Sequence, residues 1–224
     1  MQFPKESLQF LKNLKKHNNR DWFAENKPVF TAAQTDAKAM YAAIRSNLET
    51  HDKIDAFKLY RIYRDVRFSK DKTPYQPHFA GSFSRTGAAL RGGYYLRIRP
   101  GESFLAGGFW EPSKEDLLRI RQELELDATE MRNILSAKKF VSHFGGTFES
   151  YELKTAPRGF DKTHPDIDLI RKKGFVAVRK FTDAQVLAPN FLEEVASSFV
   201  VLRPFFNYMS DVLTTNANGE SLLD

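Results

Sequence analysis

Tyr94-Tyr-Leu-Arg-Ile-Arg99, Pro100-Gly101 and Ser103-Phe-Leu-Ala-Gly-Gly-Phe-Trp110 read as two strands joined by a tight turn. Successive side chains of a strand point to opposite faces, and a Pro-Gly pair supplies the backbone angles of a reversal. Immediately upstream, Phe79, Gly81 and Phe83 alternate in the same way and suggest a further short strand. Further back, in Lys58-Leu-Tyr-Arg-Ile-Tyr-Arg-Asp-Val-Arg-Phe68, the residues Tyr60, Ile62, Val66 and Phe68 fall on one side. Arg61, Tyr63, Asp65 and Arg67 then share the other side, and Arg64 lands on the apolar one, where it needs either a partner or a bulge. An antiparallel meander is the economical arrangement of these pieces.

Helical patterns lie on both sides of this centre. Leu8, Leu11 and Leu14 mark a short amphipathic helix, and Asn18 or Asn19 can cap a brief one from Arg20 to Glu25. Phe30, Ala33, Ala37, Met40, Ile44 and Leu48 recur at three- and four-residue steps, the mark of a long helix. Trp22-Phe23 reads as an apolar anchor between the first helices and the sheet. Downstream, Ser113 with Asp116, and Asp127 with Glu130, open two more helices. Thr147 to Lys154 is a candidate strand, Pro165 to Lys173 a helix, and Phe175 to Phe181 a strand. A last long helix follows Asn190 and is kinked or interrupted at Pro204. Helices, then strands, then helices imply an α+β fold: a single domain over 1–214, a central antiparallel sheet flanked by N-terminal and C-terminal helices, and a frayed polar tail over 215–224.

The chain has 224 residues and a formal net charge of +6. From Lys58 to Arg99 ten basic residues face two acidic ones, so this segment carries +8 and the rest of the chain −2. Concentrated like charge repels itself, which makes an anionic partner worth weighing. With no cysteine, thiolate metal sites, disulfides and cysteine nucleophiles are excluded. No apolar run approaches the ~20 residues of a membrane-spanning helix, and the N-terminus lacks a signal-peptide pattern, so a cytoplasmic protein without membrane partners is expected.

Asn19-Arg-Asp-Trp-Phe-Ala-Glu-Asn-Lys27 and Arg61-Ile-Tyr-Arg-Asp-Val-Arg-Phe-Ser-Lys-Asp-Lys-Thr-Pro-Tyr75 resemble the bacterial and fungal family catalogued as domain of unknown function 2461. Gly93-Tyr-Tyr-Leu, Pro100-Gly-Glu-Ser-Phe, Gly107-Gly-Phe-Trp and Leu153-Lys-Thr-Ala-Pro-Arg-Gly-Phe-Asp161 followed by His164-Pro165 extend the likeness over nearly the whole chain. The resemblance implies an intracellular α+β domain and brings no activity, cofactor or catalytic residue with it. Arg97 departs from it, since His or Gln is the more usual residue there.

The candidate site is the basic run itself. Arg61, Arg64, Arg67, Lys70 and Lys72 offer planar forks and movable point charges for phosphate or carboxylate. Asp65 would orient an Arg, Tyr75 and His78 would shape a rim, and His78 is the candidate acid/base if there is catalysis. The function expected is binding of a small anionic ligand. The same charge, interleaved with Tyr60, Tyr63, Phe68, Tyr75, Phe79, Tyr94, Tyr95 and Trp110, would also suit a single-stranded nucleic acid or an acidic protein partner. The opposing structural reading is an Arg–Asp–Arg ladder that only fixes the meander. No cofactor and no metal is expected: Gly81-Ser-Phe-Ser-Arg-Thr-Gly87 lacks a P-loop ending. The carboxylates Asp161, Asp166 and Asp168 near His164 read as turn and cap residues.

Overall fold

The computed structural model describes residues 1–216 and 218–223. In chain order it contains α1 (Lys5–Lys16), α2 (Arg20–Glu25), α3 (Lys27–Glu49), β1 (Ile54–Leu59), β2 (Phe79–Arg85), β3 (Gly93–Ile98) and β4 (Ser103–Phe109). There follow α4 (Lys114–Leu126), α5 (Thr129–Ser136), α6 (Lys138–Phe144), α7 (Ile167–Ile170), β5 (Phe175–Phe181), α8 (Asp183–Val186), α9 (Phe191–Val201) and α10 (Arg203–Thr214). Among the described residues the strands form one five-stranded antiparallel sheet in the order β1-β2-β3-β4-β5, with helices flanking it. The fold is α+β, as strands bracketed by helices require.

Two compact units are distinguished: residues 1–83, 95–105 and 180–197, and the remainder. In the first unit the helical periodicity settles the packing. Leu8, Leu11 and Leu14 of α1 and Phe30, Ala33, Ala37, Met40, Ile44 and Leu48 of α3 are all buried; each large apolar side chain withdrawn from water contributes about 1.5–3 kcal/mol. Asn19 caps α2 by accepting a hydrogen bond from the Trp22 N–H at 2.9 Å. Tyr41, fully buried on α3, lies against Phe57 and Phe83 and brings its hydroxyl within 2.9 Å of the Leu96 carbonyl. It thereby ties the long helix to one face of the sheet.

The second unit has an aromatic core. Tyr94 packs on Phe199 and Phe206, with ring centroids 4.9 and 5.0 Å apart, and Phe205 lies between Phe109 and Phe148. Pro204 has no N–H to donate, and the C-terminal helix is indeed broken there into α9 and α10. Ser113 caps α4 through the Asp116 N–H, as the sequence indicates. Gly108, at φ 143°, sits where a Cβ would come within 2.0 Å of the Phe175 carbonyl oxygen, so only glycine allows β4 and β5 to approach as they do.

Three local expectations are corrected. The strand expected over 58–68 ends at Leu59, and Arg61, Asp65 and Arg67 share no strand face. Arg64, which a continued strand would bury, instead draws Ser69, Asp71 and Thr73 around its guanidinium and curls the chain into a loop. That loop is closed by a Tyr63–Tyr75 bridge. The segment Thr147–Lys154 contributes only isolated bridges, Glu149–Val176 and Glu152–Lys172. The helix expected from Pro165 to Lys173 is cut to α7, because Arg121 takes the Ile170 and Lys172 carbonyls that a longer helix would have used or exposed. Near the C-terminal end, Thr215 bridges Ser221, and the Leu222 N–H donates to the Thr214 carbonyl. Ala217 and Asp224 lie outside the described residues.

Candidate functional site

The loop from Arg61 to His78 is built from its own charges. The Arg64 guanidinium donates to Asp71 Oδ2 at 2.5 Å, to the Thr73 carbonyl at 3.0 Å, to the Thr73 hydroxyl, and to Ser69 Oγ at 3.3 Å. Asp71 in turn accepts the Thr73 N–H at 2.9 Å and the Thr73 hydroxyl at 2.8 Å. These bonds, those from Thr73 first, hold its carboxyl down at about 2. Arg67 forks onto Asp65, Nε to Oδ1 at 3.0 Å and a terminal nitrogen to Oδ2 at 2.7 Å, and this bond keeps the Asp65 carboxyl below its usual value. Lys72 Nζ donates to the Val66 carbonyl at 3.1 Å. Tyr75 stacks on Phe23, centroids 4.0 Å apart, and exchanges both backbone hydrogen bonds with the Asn18 side chain. Arg61 and Lys70 are exposed. The loop's charges therefore serve largely to fold the loop, Arg64 and Arg67 each meeting an acid of the same run.

A second cationic cluster in the same unit involves His78 and the strand after it. Alternation along β3 places Leu96 and Ile98 in the core and leaves Tyr95 and Arg97, with Arg99 just beyond, on the half-exposed side. On that side Tyr60 lies 6.5 Å from Tyr95, and Tyr95 lies 5.6 Å from Phe104. The Arg97 guanidinium sits over the Phe104 ring at 4.4 Å, and Lys58 over Tyr60 at 5.2 Å. The Tyr60 hydroxyl is 3.1 Å from Ser82 Oγ.

His78 precedes β2 in the register of Ala80 and Ser82, and feels the charges of Arg97 and Arg99. Burial first, then those two guanidinium groups, push its imidazole from 6.5 down to about 4, against an opposing pull from Glu102. It is neutral at physiological pH. His78 Nδ1 and Arg97 Nε are buried with no hydrogen-bond partner among the described residues, and Arg99 Nε, also buried, lies 3.5 Å from Glu102 Oε1. Buried polar atoms are ordinarily satisfied, so two without a partner in one neighbourhood single it out among the charged groups. One carboxylate, Glu102, is shared by Arg99 at 3.5 Å and Lys15 at 3.6 Å, which leaves the cluster net positive.

Other charged groups are accounted for structurally. Arg85, only 5% exposed, donates to the Arg91 carbonyl at 2.9 Å and to Ser210 Oγ at 3.2 Å, and lies against the Phe206 ring. Arg91 pairs with Asp116 at 2.5 Å. Asp166 and Asp168 both bind Arg132, and Asp161 closes a turn by accepting the Thr163 N–H. Among the described residues no group of His, Asp or Glu is disposed to hold a metal ion, and no helix is long and apolar enough to cross a membrane.

Arg97, Arg99 and Phe104 were absent from the sequence-predicted site, and Tyr95 entered only among the aromatics of the nucleic-acid reading. Their signal was the alternation of Tyr94 to Arg99 itself, which puts two arginines on the face opposite the apolar residues.

These features define an α+β protein with an antiparallel sheet whose half-exposed side, in the first unit, carries arginines among aromatic rings. The chain belongs to the family described as conserved hypothetical protein (DUF2461), which matches residues 6–208. No curated protein and no solved structure matches it.

Proposed function

We propose that the first unit binds a small phosphate- or carboxylate-bearing ligand at Arg97, Arg99 and His78. The observation that supports this reading is the coincidence of two buried nitrogens without a hydrogen-bond partner among the described residues, His78 Nδ1 and Arg97 Nε, with two guanidinium charges and a single carboxylate, which faces Arg99 Nε. An oxyanion would accept from Arg97 Nε–H and from the neutral imidazole, which can present an N–H to it, while Arg99 adds its charge. Tyr95, Phe104 and Tyr60 would border the anion with ring surface, so a ligand with a planar apolar part gains more than inorganic phosphate. Any catalysis would come from stabilising negative charge that develops on the bound group. Neutral His78 would be placed to exchange a proton with it.

The test is ligand-dependent thermal stability at low ionic strength with phosphate, citrate and nucleoside monophosphates. A ligand that binds only the folded chain raises the melting temperature in proportion to RT ln(1 + [L]/Kd). The expected result is a rise that saturates with at least one of these and disappears in the double variant Arg97→Gln, Arg99→Gln, whose unliganded melting temperature stays close to the parent's. Absence of any rise in the parent, or an equal rise in the variant, refutes the assignment.

The run Tyr60, Tyr95, Phe104 with Lys58 favours a second reading, stacking of the bases of a single nucleic-acid strand. That reading requires affinity to grow with strand length and to fall steeply with salt. Mononucleotide binding that is unaffected by chain extension decides against it.

A further inference from the structure

The second unit contains a cleft of about 200 Å³ lined by Trp110, Glu111, Glu149, Ser150, Tyr151 and Lys173. Its most unusual feature is exposed aromatic surface: Trp110 is 61% and Tyr151 75% accessible. The two rings stand at 74° to each other with centroids 6.5 Å apart. They meet at a corner, edge to face, and are not stacked.

The corner is held rigidly from behind. Ser150 Oγ accepts the N–H groups of Lys173 and Gly174 at 3.2 and 2.9 Å, and the Lys173 N–H also donates to the Tyr151 carbonyl at 2.8 Å. Gly174 lies so close to the segment bearing Trp110 that a Cβ there would come within 2.4 Å of the Trp110 carbonyl oxygen. Backbone this tightly fixed, beneath rings left in water, is what a preorganised binding surface needs.

The chemistry of the lining selects the ligand. Aromatic faces are electron-rich and attract cations, most strongly for Trp. The carboxylate of Glu111, exposed beside Trp110 in the lining, supplies a negative charge at the rings. A sugar ring lies flat on one aromatic platform, and a hard metal ion needs a cage of oxygens; neither matches a right-angled pair of rings. A compact cation with an apolar skin matches it, because each ring covers one side of the head group while a carboxylate faces its charge.

We propose that the Trp110–Tyr151 corner binds a substituted-ammonium group, such as a trimethylammonium head, with Glu111 as its counter-ion. The site is independent of the anion site assigned to the first unit. The experiment is a titration of the full chain with choline, with its neutral carbon isostere 3,3-dimethylbutan-1-ol, and with an N-acetyl trimethyllysine amide, followed by calorimetry. A parallel fluorescence titration uses Trp22→Phe, in which Trp110 is the sole tryptophan.

Saturable choline binding, at least about tenfold tighter than the isostere, is expected, with Trp110→Ala and Tyr151→Ala each weakening it about three- to thirtyfold. Glu111→Gln weakens it by a smaller factor. Because both rings are exposed, the unliganded melting temperatures of these variants should match the parent's, which separates lost binding from lost fold. Preference for choline over the trimethyllysine amide identifies a free small molecule as the natural source, and the reverse preference identifies a modified side chain. Equal affinity for the neutral isostere, failure of both ammonium probes to saturate, or undiminished binding in the two ring variants overturns the proposal.

Discussion

Acidification should weaken this chain partly through His78. Its imidazole is held at about 4 in the fold and returns to about 6.5 on unfolding. Between those values the unfolded chain binds the extra proton, so stability rises with pH across the window, is complete above 6.5 and is lost as pH falls towards 4. The interval corresponds to about 3 kcal/mol at full strength, and solvent screening of a half-buried ring reduces this to roughly 1.5 kcal/mol. The assay is urea unfolding of the parent and of His78→Gln from pH 4.5 to 7.5. Glutamine stays neutral throughout, so the difference between the two proteins should change by that amount, a shift of about 0.5 M in the urea midpoint. The carboxylates with lowered pKa, Asp65, Asp71 and Asp168 among them, titrate below this window and do not obscure it. A bound anion offsets the field of Arg97 and Arg99, so saturating ligand should raise the imidazole pKa and shrink the difference. An imidazole that titrates near 6.5 by NMR in the free protein, or identical pH slopes for the two chains, would refute the account.

Three further outcomes follow from the packing. Tyr41→Phe removes a fully buried hydroxyl from the Leu96 and Phe79 carbonyls and should cost about 1–3 kcal/mol in chemical denaturation. Arg64→Ala should release the 61–75 loop, seen as faster limited proteolysis within it, while the global melting temperature falls only slightly, since most of the loop is exposed. Arg85→Met strips a buried guanidinium from the Ser210 hydroxyl and Arg91 carbonyl and should destabilise the second unit by roughly 1–3 kcal/mol, read from near-UV circular dichroism during melting.

How much of this was legible in the sequence depended on the range of the force involved. The helices and the 93–109 hairpin follow from periodicity, a local property, and Leu8 to Leu14, Phe30 to Leu48 and Tyr94 to Ile98 fall where spacing puts them. The strand over 58–68 failed because alternation cannot tell where Arg64 will find its counter-charge. Once Asp71 and Thr73 meet it, curling the chain satisfies more polar groups than extending the ladder would. Thr147 to Lys154 and Pro165 to Lys173 failed for a related reason: Arg121 and Ser150 take up backbone groups from distant parts of the chain, and no local pattern announces that.

The candidate site illustrates the same limit. Charge density along the chain singles out residues 61–72, yet neighbours in sequence are also the neighbours best placed to neutralise one another. Asp65 takes Arg67 two residues away, and Asp71 takes Arg64 seven residues away. Arg97 and Arg99 sit in a sparser stretch, and strand geometry keeps both on one side, two residues apart, where Glu102 meets Arg99 through its carboxylate and Arg97 through its backbone carbonyl. A sheet face thus preserves the convergence that a loop is free to relax. Strand geometry holds Arg97 and Arg99 on one side, whereas Arg64 and Arg67 of the loop fold onto acids of their own run.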